Sequence, residues 1–278
     1  MAWQLTDDVE TFDATAGEFL RARPIEHTNL LTLIDTLRRR GRNAYGPDDP
    51  VFGWWSTPAG QVAAVLLQTP PHPMIFSELP PRAVTAAVEA LAGRALPGAS
   101  LPANAIDGFS AGWRSRAGVR AHVTRRTRLY RLSALTPPAA PPGRPRYAAP
   151  ADRDLIAGWL LAFHDEIGER RPSDPGARVD AWLEYGGVVL WEDGGPVSMA
   201  TRSRPEAGTV RVQTVYTPPI QRGRGYGGAV TVAATQAAQK DGARDVVLNT
   251  DLANPTSNAL YQRLGYRPVE DRVIVEFT

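Results

Sequence analysis

The sequence contains no cysteine, and only one of its 31 basic side chains, Lys240, is a lysine. Without cysteine there can be no disulfide, no thiolate-ligated zinc or iron–sulfur site and no thiol nucleophile. Long apolar runs are missing too; none approaches the roughly 18 residues that read as a membrane span. The acidic start Met1-Ala-Trp-Gln-Leu-Thr-Asp-Asp8 lacks the pattern of a signal peptide. Nor is there a charge excess. Thirty-one basic residues face 29 acidic ones, a formal charge of +2, so the pI near 9.1 reflects the high pKa of arginine. These absences predict a cytoplasmic protein with no membrane partner and no metal. A hydrophobic share of 43% with 22% charged residues indicates a globular chain, and 278 residues suggest two domains.

The boundary is marked by Leu135-Thr-Pro-Pro-Ala-Ala-Pro-Pro-Gly-Arg-Pro145. Five prolines in eleven residues read as an extended linker. The expected domains are therefore 1–134 and 146–278, joined by 135–145. In the first, the spacing predicts helices over 26–40 and 81–91 and strands over 62–68 and 74–79. In the second it predicts helices over 154–170, 177–185, 228–240 and 257–264. Strands are expected over 188–192, 196–204, 209–217, 245–250 and 272–277, with Asp193-Gly194-Gly195 as a hairpin turn. The halves echo each other. A shift of 147 residues lays Ser257, Arg263, Gly265 and Arg267 on Ser110, Arg116, Gly118 and Arg120, which suggests a duplicated domain.

The chemically informative segment is Val215-Tyr-Thr-Pro-Pro-Ile-Gln-Arg-Gly-Arg-Gly-Tyr-Gly-Gly228. A strand runs into a glycine-rich loop and a helix follows at once. Unpaired N–H groups and the macrodipole make such a helix start an anion site. The glycines let phosphate oxygens approach the backbone, and Arg222 and Arg224 add charge. The pattern Gly223-x-Gly225-x-x-Gly228 also fits a dinucleotide fingerprint, but Pro218-Pro219 separates it from the strand and only 50 residues follow it.

Arg222-x-x-Gly225-x-Gly227 resembles the acetyl-CoA pyrophosphate loop of the GNAT acyltransferase superfamily. Downstream, Asn254-Pro-Thr-Ser-Asn-Ala-Leu-Tyr-Gln-Arg-Leu-Gly-Tyr266 is similar to that family's Asn…Ala…Tyr…Gly-aromatic signature. The resemblance covers about residues 146–278. It implies an α+β fold of tandem domains, each a mixed, mostly antiparallel sheet flanked by helices. It also implies acetyl-CoA as acyl donor and a small-molecule amine as acceptor. The backbone of Val215, Tyr216 and Thr217 would hold the pantetheine arm, and Arg222, Gly223, Arg224, Gly225, Tyr226, Gly227 and Gly228 the pyrophosphate. Asn254 would line the cofactor channel, and Tyr261 would protonate the leaving thiolate. A phenol within reach of the sulfur suits that step, and direct transfer needs no thiol on the protein.

The general base has no evident candidate, because Thr-Val-Arg-Val-Gln-Thr-Val-Tyr-Thr217 carries no carboxylate. Asp165, Glu166, Glu169 and Asp174 sit around the end of the first helix of this domain, either as a solvated helix end or as selectors of a cationic amine. His164 beside them reads as a packed or surface histidine. The matching segment of the first half, Ser77-Glu-Leu-Pro-Pro-Arg82, has no glycine, two prolines and a negative charge, and Arg114 stands where Tyr261 should. That half is expected to be a degenerate GNAT-like domain that binds no CoA. Its Phe52-Gly-Trp-Trp55 run reads as core, or as the lining of an acceptor pocket. Two rivals stay open. One is a non-catalytic CoA-binding regulator. The other is a nucleic-acid binder that uses the seven arginines of residues 108–131. A homodimer is compatible with either domain.

Overall fold

A computed structural model describes residues 2–278. The chain forms two compact units. The first holds the chain up to Leu129, with Thr250–Asn254 and Val269–Thr278; the second holds Tyr130–Asn249 and Pro255–Pro268.

The first half of the chain runs β1 (Trp3–Thr6), α1 (Val9–Ala22), α2 (Thr28–Arg40), β2 (Val51–Ser56), β3 (Val62–Gln68) and β4 (Met74–Phe76). It continues with α3 (Pro81–Leu91), β5 (Gly98–Pro102), α4 (Ile106–Ala117) and β6 (Ala121–Leu132). The second half repeats that order. It has β7 (Arg144–Tyr147), α5 (Arg153–Glu166), α6 (Pro175–Leu183), β8 (Val188–Glu192), β9 (Pro196–Arg202) and β10 (Thr209–Tyr216). Then come α7 (Tyr226–Lys240), β11 (Asp245–Asp251), α8 (Pro255–Arg263) and β12 (Tyr266–Phe277). The duplication suggested by a few identities is thus present element by element.

In the second unit β7, β8, β9 and β10 are successively antiparallel, and β10 pairs with β11 in parallel. Strict alternation builds a core on each face. Val189 and Trp191 pack towards α7 with Val210 and Val212, whereas Val188 and Leu190 pack towards α5 and α6 with Met199. The first unit uses the same scheme: β1 to β4 are antiparallel and β4 pairs with β5 in parallel. Phe52 and Trp54 point to the α1–α2 core, and Trp55 points to the α3–α4 core. The aromatic run therefore packs on both faces of one strand.

Among the departures from the sequence expectation, three bear on the architecture. Helix α1 went unread; Phe12, Ala16 and Leu20 bury at four-residue spacing, and Asp8 caps it by accepting from the Thr11 N–H at 2.6 Å. The proline-rich segment ends in a strand, because β7 is the edge of its sheet and an edge tolerates Pro145. The third concerns residues 269–278, which belong to the first unit. β5 takes β12 as its antiparallel neighbour, from Arg272 opposite Pro102 to Glu276 opposite Gly98. Val273 and Val275 bury with Ala99 and Leu101. The alternation of β12 shows that one face is buried, but it does not say in which sheet.

Candidate functional site

Strands β10 and β11 pair only at Thr209–Asp245, Val210–Val246 and Arg211–Val247. Beyond those pairs they part. The cause lies in β10, whose register on β9 shifts between Gln213 and Tyr216, with Thr214 at φ 46°. A bulge there bends the strand away from its parallel neighbour. Among the described residues, the inner edges after Arg211 and Val247 form no ladder with each other, so an extended, amide-bearing ligand arm has backbone to bond.

The loop after β10 leads directly into α7. Gly223 and Gly225 adopt φ 78° and 87°, and Gly225 is the N-cap. Only glycine enters this region without strain. After the Arg222 amide, bonded to the Pro219 carbonyl at 3.2 Å, the next amide that finds a backbone acceptor is that of Ala229, bonded to the Gly225 carbonyl at 3.0 Å; among the described residues, those of 223–228 have none. Six consecutive N–H groups at a helix start form an anion cradle. A Cβ on Gly228 would crowd Leu260 Cδ1 at 3.2 Å, whereas one on Gly227 would meet Thr217 Oγ1 at 3.4 Å, an ordinary contact.

The side chains of the loop are more committed than the backbone. The Arg222 Nε donates to the Thr217 carbonyl at 2.8 Å, and one terminal nitrogen donates to both Glu166 oxygens at 2.6 and 2.7 Å. Its guanidinium lies 5.9 Å from the centre of the Tyr216 ring. The Tyr226 ring is buried and its phenol donates to the Asp193 carboxylate, which pushes the phenol pKa up. Its contribution to an anion site is therefore its backbone. Arg224 is exposed. The Tyr216 carbonyl accepts from Ser198 Oγ at 3.0 Å, and that hydroxyl also meets Thr217 Oγ1 at 2.8 Å. Ser198, wholly buried, carried no signal in the sequence.

Tyr261, on α8, is 8% exposed and packs edge-on against Tyr266, with centroids 6.2 Å apart. Burial pushes its phenol up to about 12, so it is protonated at neutral pH. It shares a core with Val212 and Leu248, from the two strands that part. Asn254 clusters with the first unit, where it is exposed and its N–H donates to the Asp251 carbonyl at 3.1 Å.

Three acids around the end of α5 are spoken for. Asp165 accepts from Arg171 at 2.6 Å, Asp174 caps α6 by accepting from the Ala177 N–H at 2.8 Å, and Glu166 holds Arg222. They do not form an open cluster for a cationic amine. His164 is buried, its Nδ1 has no partner among the described residues, and burial pulls its pKa down. No group of three or more potential metal ligands occurs among the described residues.

The first unit fills the equivalent position with its own groups. Pro80 and Pro81 replace two amide donors, and Ala83 and Val84 both bond the Pro80 carbonyl. Glu78 accepts from His27 Nε2 at 2.9 Å and pairs with Arg23. The pairing of β4 with β5 ends at Ile75–Ser100, and there the buried Arg272 donates to the carbonyls of Phe76 and Ser100, the latter at 3.0 Å.

Parted parallel strands, a bulge before the parting, and a glycine loop with free amides opening a helix come together in the second unit. Residues 154–266 match the acetyltransferase (GNAT) family model, and this part of the chain is a GNAT domain. A mycothiol acetyltransferase of Pseudarthrobacter chlorophenolicus is 32% identical over 114 residues, which are 38% of this chain and 35% of that protein. A second, from an Arthrobacter species, is 32% identical over 124 residues, 39% of this chain and 38% of that protein. The aligned part thus spans little more than a third of these relatives. The fold as a whole matches a GCN5-related N-acetyltransferase from Sphaerobacter thermophilus with a TM-score of 0.60 at 17% identity, covering 98% of this chain and 94% of that one. It also matches a tandem GNAT protein of the clavulanic acid pathway with a TM-score of 0.54 at 14% identity, covering 99% and 98%.

Proposed function

We propose that the second unit transfers an acetyl group from acetyl-CoA to a primary amine of a small molecule. The run of free amides at residues 223–228, at the mouth of the β10–β11 parting, carries this reading. Those amides suit a pyrophosphate, and the backbone of Val215, Tyr216 and Thr217, where β10 leaves β11, suits the amides of a pantetheine arm, with the Tyr216 and Thr217 carbonyls already accepting from Ser198 and Arg222. The neutral amine attacks the thioester carbonyl, the C–S bond breaks, and the departing sulfur takes a proton from the Tyr261 phenol. With no carboxylate on β10, the amine would lose its own proton to solvent.

Thiol release from acetyl-CoA, followed against a panel of amines, tests this. The acceptor of a mycothiol acetyltransferase heads that panel, because both curated relatives carry that name. Calorimetry should show one CoA bound per chain. Binding without thiol release for any amine would instead favour the non-catalytic CoA-binding reading, which the carboxylate-free strand supports. Absence of CoA binding would overturn both.

A further inference from the structure

Glu166 puts a negative charge beside a site built for anions. It is the last residue of α5, and its carboxylate is 40% exposed. Left there without purpose, it would repel a pyrophosphate. Its two oxygens, however, both take one terminal nitrogen of Arg222 while Nε of the same guanidinium is tied to the Thr217 carbonyl. Two of the three guanidinium nitrogens are thereby fixed, on one edge of the group. The Arg222 guanidinium lies 5.9 Å from the centre of the Tyr216 ring, and its other terminal nitrogen keeps its donors. An unrestrained arginine at an exposed loop would lose several rotatable bonds on meeting a phosphate; one held in advance does not.

We infer that Glu166 is a positioning residue for the acyl donor: it holds Arg222 so that the remaining guanidinium donors face the pyrophosphate. This rests on the proposed acyl-CoA reading and adds a contribution from α5 that nothing in the loop motif specifies. The Glu166 charge also reaches Tyr216, where it acts after burial to raise the phenol pKa, so carboxylate, guanidinium and ring form one group. The acid therefore aids binding of an anion only through Arg222. Without that arginine it can only repel.

A double-mutant cycle on CoA affinity separates these cases. The dissociation constant of CoA is measured by calorimetry at low salt for the wild type, Glu166→Gln, Arg222→Ala and the double variant. Thermal unfolding confirms that each is folded. In the wild-type background Glu166→Gln should weaken CoA about threefold to fivefold, the scale of an exposed ion pair. In the Arg222→Ala background the same change should leave affinity unchanged or improve it. Equal weakening in both backgrounds would mean a general structural role and would overturn the assignment. Tighter CoA binding by Glu166→Gln in the wild-type background would do the same, as would no change there. A wild type that binds no CoA would overturn the acyl-donor reading itself, together with this assignment.

Discussion

The Arg272 guanidinium donates to the Ser100 carbonyl at 3.0 Å and, with the same nitrogen, to that of Phe76. These carbonyls belong to β5 and β4, the strands that correspond to β11 and β10. The first unit thus satisfies with a side chain the backbone groups that in the second unit remain open. The charge is buried, which pulls the arginine pKa below its ordinary value, and Glu270 Oε1 lies 3.3 Å away as its counterion.

Removing Arg272 should therefore unfold the chain more easily without creating a second cofactor site. Arg272→Ala leaves two buried carbonyls and Glu270 without their donor, a loss of about 3 kcal/mol. Urea denaturation measures it. CoA stoichiometry should stay at one per chain, since Pro80 and Pro81 still supply no amides. A second equivalent of bound CoA would show that Arg272 alone blocks the first unit.

Gly225 offers a sharper test of the anion cradle. Its φ of 87° and a Cβ position 3.8 Å from Pro141 leave room for a side chain but not an unstrained one. Gly225→Glu adds a negative charge at the cradle as well. CoA affinity should fall about tenfold or more at low salt, less at high salt. Calorimetry at two ionic strengths checks both the loss and its salt dependence.

The arginines of β6 are largely neutralised. Arg128 forms a bidentate pair with Asp271 at 2.6 and 2.7 Å, Arg131 reaches Asp245 at 2.7 Å, and Arg125 lies 3.6 Å from Asp251. Each is a cross-strand or strand-end partner supplied from far along the chain. Filter binding to duplex DNA or RNA should accordingly show only weak affinity at 50 mM salt, with a shallow salt slope; a steep slope would restore the nucleic-acid reading.

The glycine-rich loop was legible because its geometry is local: strand, glycines and helix are contiguous, and φ values near 80° require glycine at positions 223 and 225. Helix α3 was equally local and matches its expected span of 81–91. What could not be read depends on partners distant in sequence. The strand β12 alternates correctly, yet its pairing with β5 is settled by side chains about 170 residues away. Arg272 is one arginine among thirty, and nothing beside it in the sequence marks it as buried. Glu166 looked like part of a solvated helix end, because nothing in α5 announces a partner 56 residues downstream. Ser198 is invisible for the same reason.

The last prediction concerns Tyr261, whose phenol is raised to about 12 by burial alone. Model phenols titrate near 10. The folded state therefore keeps a proton that the unfolded state gives up between about pH 10 and 12. Stability from this group is fully present below pH 10 and lost as pH rises through 12. Two observations follow for the wild type. The rate of acetyl transfer should show no alkaline decline from Tyr261 below about pH 11, and phenolate absorbance should reveal it ionising after the exposed tyrosines. Tyr261→Phe should lower kcat about a hundredfold where chemistry limits the rate, with CoA affinity nearly unchanged. It should also reduce the loss of stability above pH 10. If the Phe variant turned over at the wild-type rate with a slow amine, Tyr261 would be a packing residue and the thiolate would take its proton from water.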